Sequence, residues 1–197
     1  MASLAVSLTA FVDFAAATGT AKAGKVQKLK KQLQTGGFDY WLPLRNAIVS
    51  LHHENRPAVT LSRVLDGLDE RKIGNYTQCI AGYKQWLGRK QPEPFVGRNR
   101  GLWVTGDLTV RVNPELIVHT GTQRTAVKLY FSAPPISRAR VDLAQYLIRK
   151  VVGPQIHPAV LDVRRARLHV GSLRTSKAMD ALLEGEARLF VSMWEAI

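Results

Sequence analysis

The sequence predicts an α+β (or α/β) fold, with an N-terminal helical lobe followed by a β-β-β-α-β-α core that has a small mixed sheet. Two observations predict it. Apolar residues recur at helical spacing through residues 1–88, and further along the chain they alternate with polar residues, as strands require. Two prolines and three glycines fall between positions 88 and 101, which makes residues 89–101 the predicted linker loop. We therefore expect a helical lobe over residues 1–88 and an α/β core over residues 102–197.

Five helices are expected in the lobe. Their apolar stripes end at glycine or before proline, where helices commonly stop. The stripe over residues 73–87 is the most regular of the five and ends at Gly88. The other expected helices cover residues 4–15, 21–34, 41–51 and 60–65.

The core is expected to contain four strands and two helices. Residues 102–112 alternate between apolar and polar side chains, which predicts a single half-buried strand. A turn at Asn113-Pro114 separates this strand from the next one. The further expected strands are residues 116–118, 125–132 and 160–170, and the expected helices are residues 136–151 and 176–197.

The chain is strongly basic. Its 28 Lys and Arg residues exceed its 15 Asp and Glu residues, which gives a formal net charge of +13. This balance predicts a polyanionic partner, DNA or RNA, because phosphate contacts dominate non-specific affinity for nucleic acids. A solvated basic surface without such a partner is the alternative. The candidate nucleic-acid-binding residues form three clusters: Lys22, Lys25, Lys28, Lys30 and Lys31; Arg89, Lys90, Arg98 and Arg100, with Trp86 as a side chain that could stack on a base; and Arg164, Arg165, Arg167 and Arg174.

Other chemistries find little support in the sequence. His52 and His53 are adjacent, so on a helix their side chains diverge by about 100° and cannot hold one metal ion. Cys79 lies beside an apolar helical stripe and has no second cysteine to pair with, which predicts a packed thiol and a cytoplasmic location. No apolar run is long enough to cross a membrane, and the lysine-rich stretch lacks the bulky aromatic face of an interfacial helix, so we expect no membrane partner. Residues 1–19 lack the basic start of a signal peptide and are expected to form a helix.

Asp107 and Lys128 carry a resemblance to a known family. Each lies on the polar side of a predicted strand, the first and the third of the β-β-β-α-β order. This arrangement resembles the restriction-endonuclease-like superfamily, the PD-(D/E)xK nucleases, over residues 102–170. The resemblance implies that Asp107 would hold Mg²⁺ and that Lys128 would orient the attacking water. The family has a second acid two residues before the lysine, where this chain has Ala126.

The absence of that acid leaves three functional hypotheses. The leading one is a non-catalytic nucleic-acid-binding protein that needs no cofactor and contacts phosphates rather than base edges. The second is a Mg²⁺-dependent nuclease with an altered site, in which an acid such as Glu115 replaces the one that Ala126 does not provide. The third is a protein-interaction subunit of a defence or mobile-element assembly, which would dock through the apolar faces of residues 4–15 or 179–194.

Overall fold

The computed structural model describes residues 4–36, 39–90, 93–94, 100–120 and 122–197. The strands are β1 (Leu4–Ser7), β2 (Glu93–Pro94), β3 (Gly101–Thr105), β4 (Leu108–Val112), β5 (Leu116–Thr120), β6 (Gln123–Tyr130), β7 (His157–Asp162) and β8 (Arg167–Val170). The α-helices are α1 (Leu8–Ala15), α2 (Ala21–Gln34), α3 (Leu42–His53), α4 (Glu70–Lys90), α5 (Arg138–Val152) and α6 (Lys177–Ala196), and 3₁₀-helices cover Ala58–Leu65 and Val163–Arg165.

The fold is mixed α+β, which confirms the predicted class, but its strands form two sheets where the sequence predicted one. The three-stranded sheet has the order β1-β4-β3, and the five-stranded sheet has the order β2-β5-β6-β7-β8. In both sheets one pair is parallel, β1 with β4 and β6 with β7, and the other neighbours are antiparallel. A parallel pair needs a crossover connection, and α5 provides it between β6 and β7.

Helices cover both faces of the five-stranded sheet. Ile117, Ala126 and Val160 belong to a hydrophobic cluster that includes α1, α5 and α6, whereas Leu116 and Val127 belong to a second cluster that includes α3 and α4. Neighbouring residues of a strand point to opposite faces, so the two clusters lie on opposite sides of the sheet. The helices of the first half of the chain thus pack on strands of the second half. The linker over residues 89–101 stays a prediction.

Residues 4–15, predicted as one helix, form β1 and then α1. β1 pairs in parallel with β4, with Leu4 opposite Leu108. A partner so far away in the sequence leaves no trace in local periodicity, and the tertiary pairing overrides helical propensity. Ser7 then caps the helix, because its Oγ accepts a hydrogen bond from Ala10 N at 3.2 Å.

Two segments predicted as single strands are hairpins. Residues 102–112 form β3 and β4 around Gly106, which has a φ of +52° that glycine adopts without strain. The pairing sets Leu102 opposite Arg111, so Leu102 is 60% exposed and not packed beside the buried residues of β4. The turn thus moves the even positions of β3 to the exposed face, yet these positions remain apolar in both strands, which is why the sequence pattern hides the reversal. Residues 160–170 likewise form the end of β7, a 3₁₀-helix and β8.

The remaining helices follow the prediction, with ends that differ by a few residues. Ser137 and Ser176 cap α5 and α6, and their Oγ atoms accept hydrogen bonds from Arg140 N and Met179 N, both at 3.4 Å. The short segment 60–65 is the exception, because it lies in a 3₁₀-helix. Of the helices that the structure describes, none is both long enough and apolar enough to cross a membrane.

Candidate functional site

Asp107 and Lys128 do not share a site. Asp107 lies in the turn between β3 and β4 of the three-stranded sheet, whereas Lys128 lies in β6 of the five-stranded sheet. Lys128 Nζ is 3.5 Å from the carbonyl oxygen of Asn113, which follows the other end of β4. Because an extended strand rises about 3.4 Å per residue, about 20 Å separate Asp107 from Asn113. The prediction of one catalytic site that contains both residues is therefore wrong.

The carboxylate beside Lys128 is that of Glu115. The antiparallel register of β5 and β6 pairs Leu116 with Val127, which places Glu115 opposite Lys128. Glu115 Oε1 accepts a hydrogen bond from Lys128 Nζ, and Oε2 accepts one from Leu129 N at 2.8 Å. The side chain of Glu115 is only 6% exposed. The pair is thus a fixed part of the end of the sheet.

Arg45 of α3 joins this pair from a distant part of the chain. Its Nε lies 3.3 Å from Glu115 Oε1, and its Nη1 forms an ion pair with Asp39. α3 packs against the five-stranded sheet through Ile48, which positions Arg45 at the sheet end. The hairpin register could have revealed the pairing of Glu115 with Lys128 in the sequence. No local pattern could have revealed Arg45.

These residues lie in a groove made of three adjoining depressions. A trough of about 560 Å³ lies beside β4 and α3, a central recess of about 350 Å³ lies between α1 and β6, and a lysine pocket of about 250 Å³ lies between α1 and α2. Thr9 lines all three depressions, and Arg45 and Lys128 line both the trough and the recess. We call the three depressions together the basic groove.

The basic groove has an excess of positive charge. Its three carboxylates each pair with a cation of the groove: Asp13 with Arg140 at 3.0 Å, Asp39 with Arg45, and Glu115 with Lys128. Four further cations of the groove pair with none of the carboxylates that the structure describes: Lys25, Lys28, Arg100 and Arg111. A cleft lined by one sign of charge focuses its electric field. The groove is therefore suited to an anionic ligand.

The start of α1 adds to the positive potential of the groove. Ser7, Leu8 and Thr9 line the trough, and they form the N-cap and the beginning of the first turn of α1. The amides at a helix N-terminus carry a partial positive charge, and this first turn contains no acidic side chain to offset it. The helix thus supports the four cations without being a site by itself.

The predicted lysine cluster on α2 is only partly available to a ligand. Lys25 and Lys28 line the lysine pocket, and Lys31 is exposed further along the helix. Lys30 Nζ lies 5.2 Å from the centre of the Trp194 ring, in a cation–π contact between α2 and α6.

Lys22 is a structural residue. It is 9% exposed, its Nζ donates to the carbonyl oxygen of Phe14 at 3.3 Å, and it forms an ion pair with Glu186 of α6. A buried ammonium group with these partners cannot reach a phosphate. The prediction that Lys22 contacts nucleic acid is therefore wrong.

The second cluster contributes one residue to the groove. Arg100 is exposed and lines the trough. Arg89 and Lys90 are exposed at the end of α4, and Arg98 lies outside the described residues. Trp86 is 1% exposed and packs against Tyr83, with ring centres 5.4 Å apart. The prediction that Trp86 stacks on a base is wrong, because its ring has no free face.

The third cluster lies outside the groove, and its first member braces the groove wall. Arg164 Nε donates to the carbonyl oxygen of Phe131 at 2.8 Å, and its guanidinium lies 5.7 Å from the Trp41 ring. Arg165 pairs with the buried Asp162 at 3.1 Å. The other two members, Arg167 and Arg174, are exposed.

The two apolar faces predicted to dock a protein are used inside the fold. Leu8 and Phe11 of α1 and Leu183 and Phe190 of α6 are buried in the same hydrophobic cluster. The rings of Phe11 and Phe190 touch, with centres 6.3 Å apart. The buried residues of the two faces are not available to a partner, but Leu182 of the second face is 49% exposed, so docking of a protein stays a prediction.

His52 and Cys79 lie in the second hydrophobic cluster or at its edge, away from the groove. Burial lowers the pKa of His52 to about 4, and its Nε2 pairs with the hydroxyl of Tyr83. Burial raises the pKa of the Cys79 thiol to about 11, and Cys79 Sγ donates to the carbonyl oxygen of Phe131 at 3.7 Å. A thiol held protonated in this way is a poor nucleophile. The prediction of a packed thiol is confirmed.

The resemblance to PD-(D/E)xK nucleases implies Mg²⁺, but the described residues do not fit this ion. Mg²⁺ sites use one or two carboxylates together with water and phosphate oxygens. Of the described carboxylates, Glu115 is the one that lies beside Lys128, where the family has a metal-binding acid. Its negative charge is already offset by ion pairs with both Lys128 and Arg45. Within the described ranges, no three His, Cys, Asp or Glu side chains lie close enough together to hold a metal ion. No metal-dependent step follows from this groove.

Comparison of the chain with known protein families and with curated protein sequences finds no match. The function therefore has to be inferred from the chemistry of the groove.

Proposed function

We propose that this protein binds nucleic acid through phosphate contacts in the basic groove and that it does not cleave its ligand. The observation that carries the proposal is the set of four cations without a described carboxylate partner, which lie on the walls of one concave surface: Lys25, Lys28, Arg100 and Arg111. Cations in such a surface can exchange their counterions for phosphates, which is the main source of affinity in non-specific nucleic-acid binding.

The arrangement of the groove supports a polymer over a single small anion. The trough, the central recess and the lysine pocket adjoin one another, and Thr9 borders all three. The cations without a described carboxylate partner lie in two of them: Arg100 and Arg111 in the trough, and Lys25 and Lys28 in the lysine pocket. A chain of phosphates can contact the cations of both depressions, whereas one phosphate can contact those of one.

The state of Glu115 supports binding without catalysis. A catalytic carboxylate that held Mg²⁺ would need free oxygen lone pairs directed at the ion. Here Glu115 is occupied by Lys128, Arg45 and the amide of Leu129. Its role is to hold Lys128 and Arg45 at the junction of the trough and the recess.

The test is a triple variant with a matched control. Lys25→Gln/Arg100→Gln/Arg111→Gln removes three unpaired cations of the groove. Arg63→Gln/Arg71→Gln/Arg188→Gln removes the same charge from exposed positions that line none of the three depressions. We expect the groove variant to reduce the slope of log affinity against log salt concentration by about 0.7 to 0.9 for each lost phosphate contact. The control should retain most of the slope.

Labelled DNA and RNA oligonucleotides, measured by fluorescence anisotropy over a salt series, provide the readout. If both triple variants lost the same amount of slope, the groove would not be the site of the phosphate contacts, and binding would depend only on the overall positive charge of the protein. No binding to DNA or RNA at low salt would overturn the proposal altogether. Mg²⁺-dependent cleavage by the wild-type protein would instead support the altered nuclease.

A further inference from the structure

The central recess differs in chemistry from the trough beside it. Leu8, Val12, Ile136, Ala144 and Val160 are among the apolar residues that line it, and its volume is about 350 Å³. Small-molecule sites in proteins begin at about 300 Å³ and are mostly apolar, with a few polar groups at fixed positions. The recess thus has the size and the wall of a site for one small, flat, mainly apolar group.

The aromatic wall of the recess is rigid. Trp41 stacks on both Tyr76 and Phe131: its ring centre is 5.2 Å from each of theirs, with interplanar angles of 21° and 16°. These two contacts hold the indole in place, so the ring does not swing into the recess and fill it. The Tyr76 hydroxyl donates to the carbonyl oxygen of Tyr40 at 2.5 Å, which fixes this stack from behind. The recess is pre-formed, and a ligand does not have to displace a side chain from it.

Cations stand at the entrance of this apolar recess. Arg45 and Lys128 line the recess and the trough alike, and Arg111 lines the trough beyond them. A phosphate held in the trough therefore lies next to the opening of the recess. A nucleotide combines a flat ring with an adjacent phosphate and therefore matches both features.

We propose that the central recess receives one unstacked base of a single-stranded nucleic acid, whose neighbouring phosphates lie in the trough. This inference rests on the proposed function and adds the class of ligand. A base inside a duplex has to be unpaired and unstacked first, which costs a few kcal/mol, whereas a single strand presents its bases freely. Because the wall is mainly apolar, contact with the ring faces dominates and the recess accepts bases with little regard to sequence.

The experiment separates the base from the phosphates. The probes are a labelled single-stranded DNA oligonucleotide and an oligonucleotide of the same length whose sugars carry no bases, so that the two have the same number of phosphates. We expect the wild-type protein to bind the strand with bases at least about fivefold more tightly, because the ring of one base leaves water for the mainly apolar recess. The salt slopes of the two strands should be equal, because both make the same phosphate contacts.

A variant locates the base. Ser132 is exposed and lines the recess, so Ser132→Trp places a bulky ring in its opening. We expect this variant to lose the preference for the strand with bases and to keep its affinity for the strand without them. Ala133→Trp is the matched control, because the adjacent Ala133 is also exposed but lines a different depression, beside Gln78 and Gln85. It should keep the preference.

Each result decides the question. Salt-dependent binding with equal affinity for both strands would overturn the proposal that the recess receives a base, and it would leave the proposed function intact. No binding to either strand would overturn the proposed function. A preference that survives in Ser132→Trp would place the base elsewhere. Should circular dichroism show that Ser132→Trp does not fold, Pro134→Trp gives the same test, because Pro134 is exposed and, of the three depressions, lines the recess alone.

Discussion

The carboxylate of Glu115 and the ammonium group of Lys128 face each other across the antiparallel strands β5 and β6, at the end of the sheet where the basic groove begins. Glu115 is almost entirely buried, while 17% of the Lys128 side chain remains exposed in the groove. The pair therefore has two roles. It stabilises the end of the sheet, and it holds the Lys128 ammonium group at the junction of the trough and the recess. The carboxylate of Glu115 also lowers the net positive charge at this junction.

Replacing either partner should have the same effect on stability and opposite effects on binding. Glu115→Gln leaves Lys128 and Arg45 without their shared carboxylate, and Lys128→Gln leaves a buried carboxylate with one cation fewer. Loss of one partner of a buried ion pair costs about 3–5 kcal/mol, and partial exposure of Lys128 brings the expected loss to about 2–3 kcal/mol for each variant. Glu115→Gln should bind nucleic acid more tightly, and Lys128→Gln more weakly. Urea unfolding and fluorescence anisotropy measure the two effects.

The control for this pair is Glu54→Gln, which removes an equal charge from an exposed ion pair with Arg56. It should change the free energy of unfolding by less than about 1 kcal/mol. If Glu115→Gln weakened binding as much as Lys128→Gln does, the polyanion would not lie beside Glu115. This result would contradict the proposal that nucleic acid binds in the basic groove.

The lysines of α2 should separate into two kinds when they are replaced one at a time. Lys22→Gln removes a buried ion pair that links α2 to α6, so it should lower the free energy of unfolding by about 2–4 kcal/mol. Lys28→Gln removes an exposed cation of the groove, so it should leave stability almost unchanged and reduce the salt slope by about one contact. The placement of both residues would be contradicted by the reverse result, in which Lys22→Gln keeps its stability but binds nucleic acid more weakly, and Lys28→Gln loses stability but keeps its salt slope.

The sequence predicted the class of the fold because periodicity is a local property. The stripes of α4, α5 and α6 and the alternation of β4 follow directly from which side chains face the core. It did not predict β1, because the strand exists through its pairing with β4, nor the hairpin at Gly106, because the even positions of β3 are apolar like those of β4 although they lie on the exposed face.

The groove was harder to predict than the fold, because ion pairs between distant residues decide which charges are available. In the sequence Lys22 and Lys25 are equivalent members of one basic run, yet one pairs with Glu186 and the other lines the groove. Their difference depends on α6, more than a hundred residues away. Composition therefore predicts the class of partner that we propose, and only tertiary structure indicates which cations are available to it.

His52 should make the protein less stable as the pH falls. The folded-state pKa of about 4 is below the ordinary value of 6.5, because burial disfavours the charged imidazole. Below pH 6.5 the unfolded chain therefore takes up a proton that the folded protein does not, and stability falls until about pH 4. The difference between the two pKa values corresponds to a loss of about 3 kcal/mol.

The measurement for His52 is the free energy of unfolding between pH 7 and pH 4, compared with that of His52→Gln. The variant should lose less stability over this range, so that the two curves converge as the pH falls. His53→Gln is the control, because His53 is the exposed neighbour on the same helix and its replacement keeps His52. Parallel curves for wild type and His52→Gln would show that the imidazole does not titrate differently in the folded state.

Gly82 should be intolerant of even a methyl group. α4 passes so close to the 3₁₀-helix Val163–Arg165 that a Cβ on Gly82 would lie 2.1 Å from the carbonyl oxygen of Val163 and 2.8 Å from that of Arg164. Both atoms belong to the backbone, so relief requires α4 or the 3₁₀-helix to move. We expect Gly82→Ala to lower the free energy of unfolding by about 3 kcal/mol or more.

Gly74→Ala in the same helix provides the contrast, because no heavy atom lies within 4 Å of the added Cβ. There the change should stabilise the protein by up to about 1 kcal/mol, since alanine is the better helix former. Because Arg164 also braces Trp41, a shift of the 3₁₀-helix in Gly82→Ala should disturb the wall of the central recess. Gly82→Ala, where it still folds, should therefore lose part of its preference for strands with bases, and Gly74→Ala should not. Equal stability of the two variants would show that α4 and the 3₁₀-helix do not approach this closely.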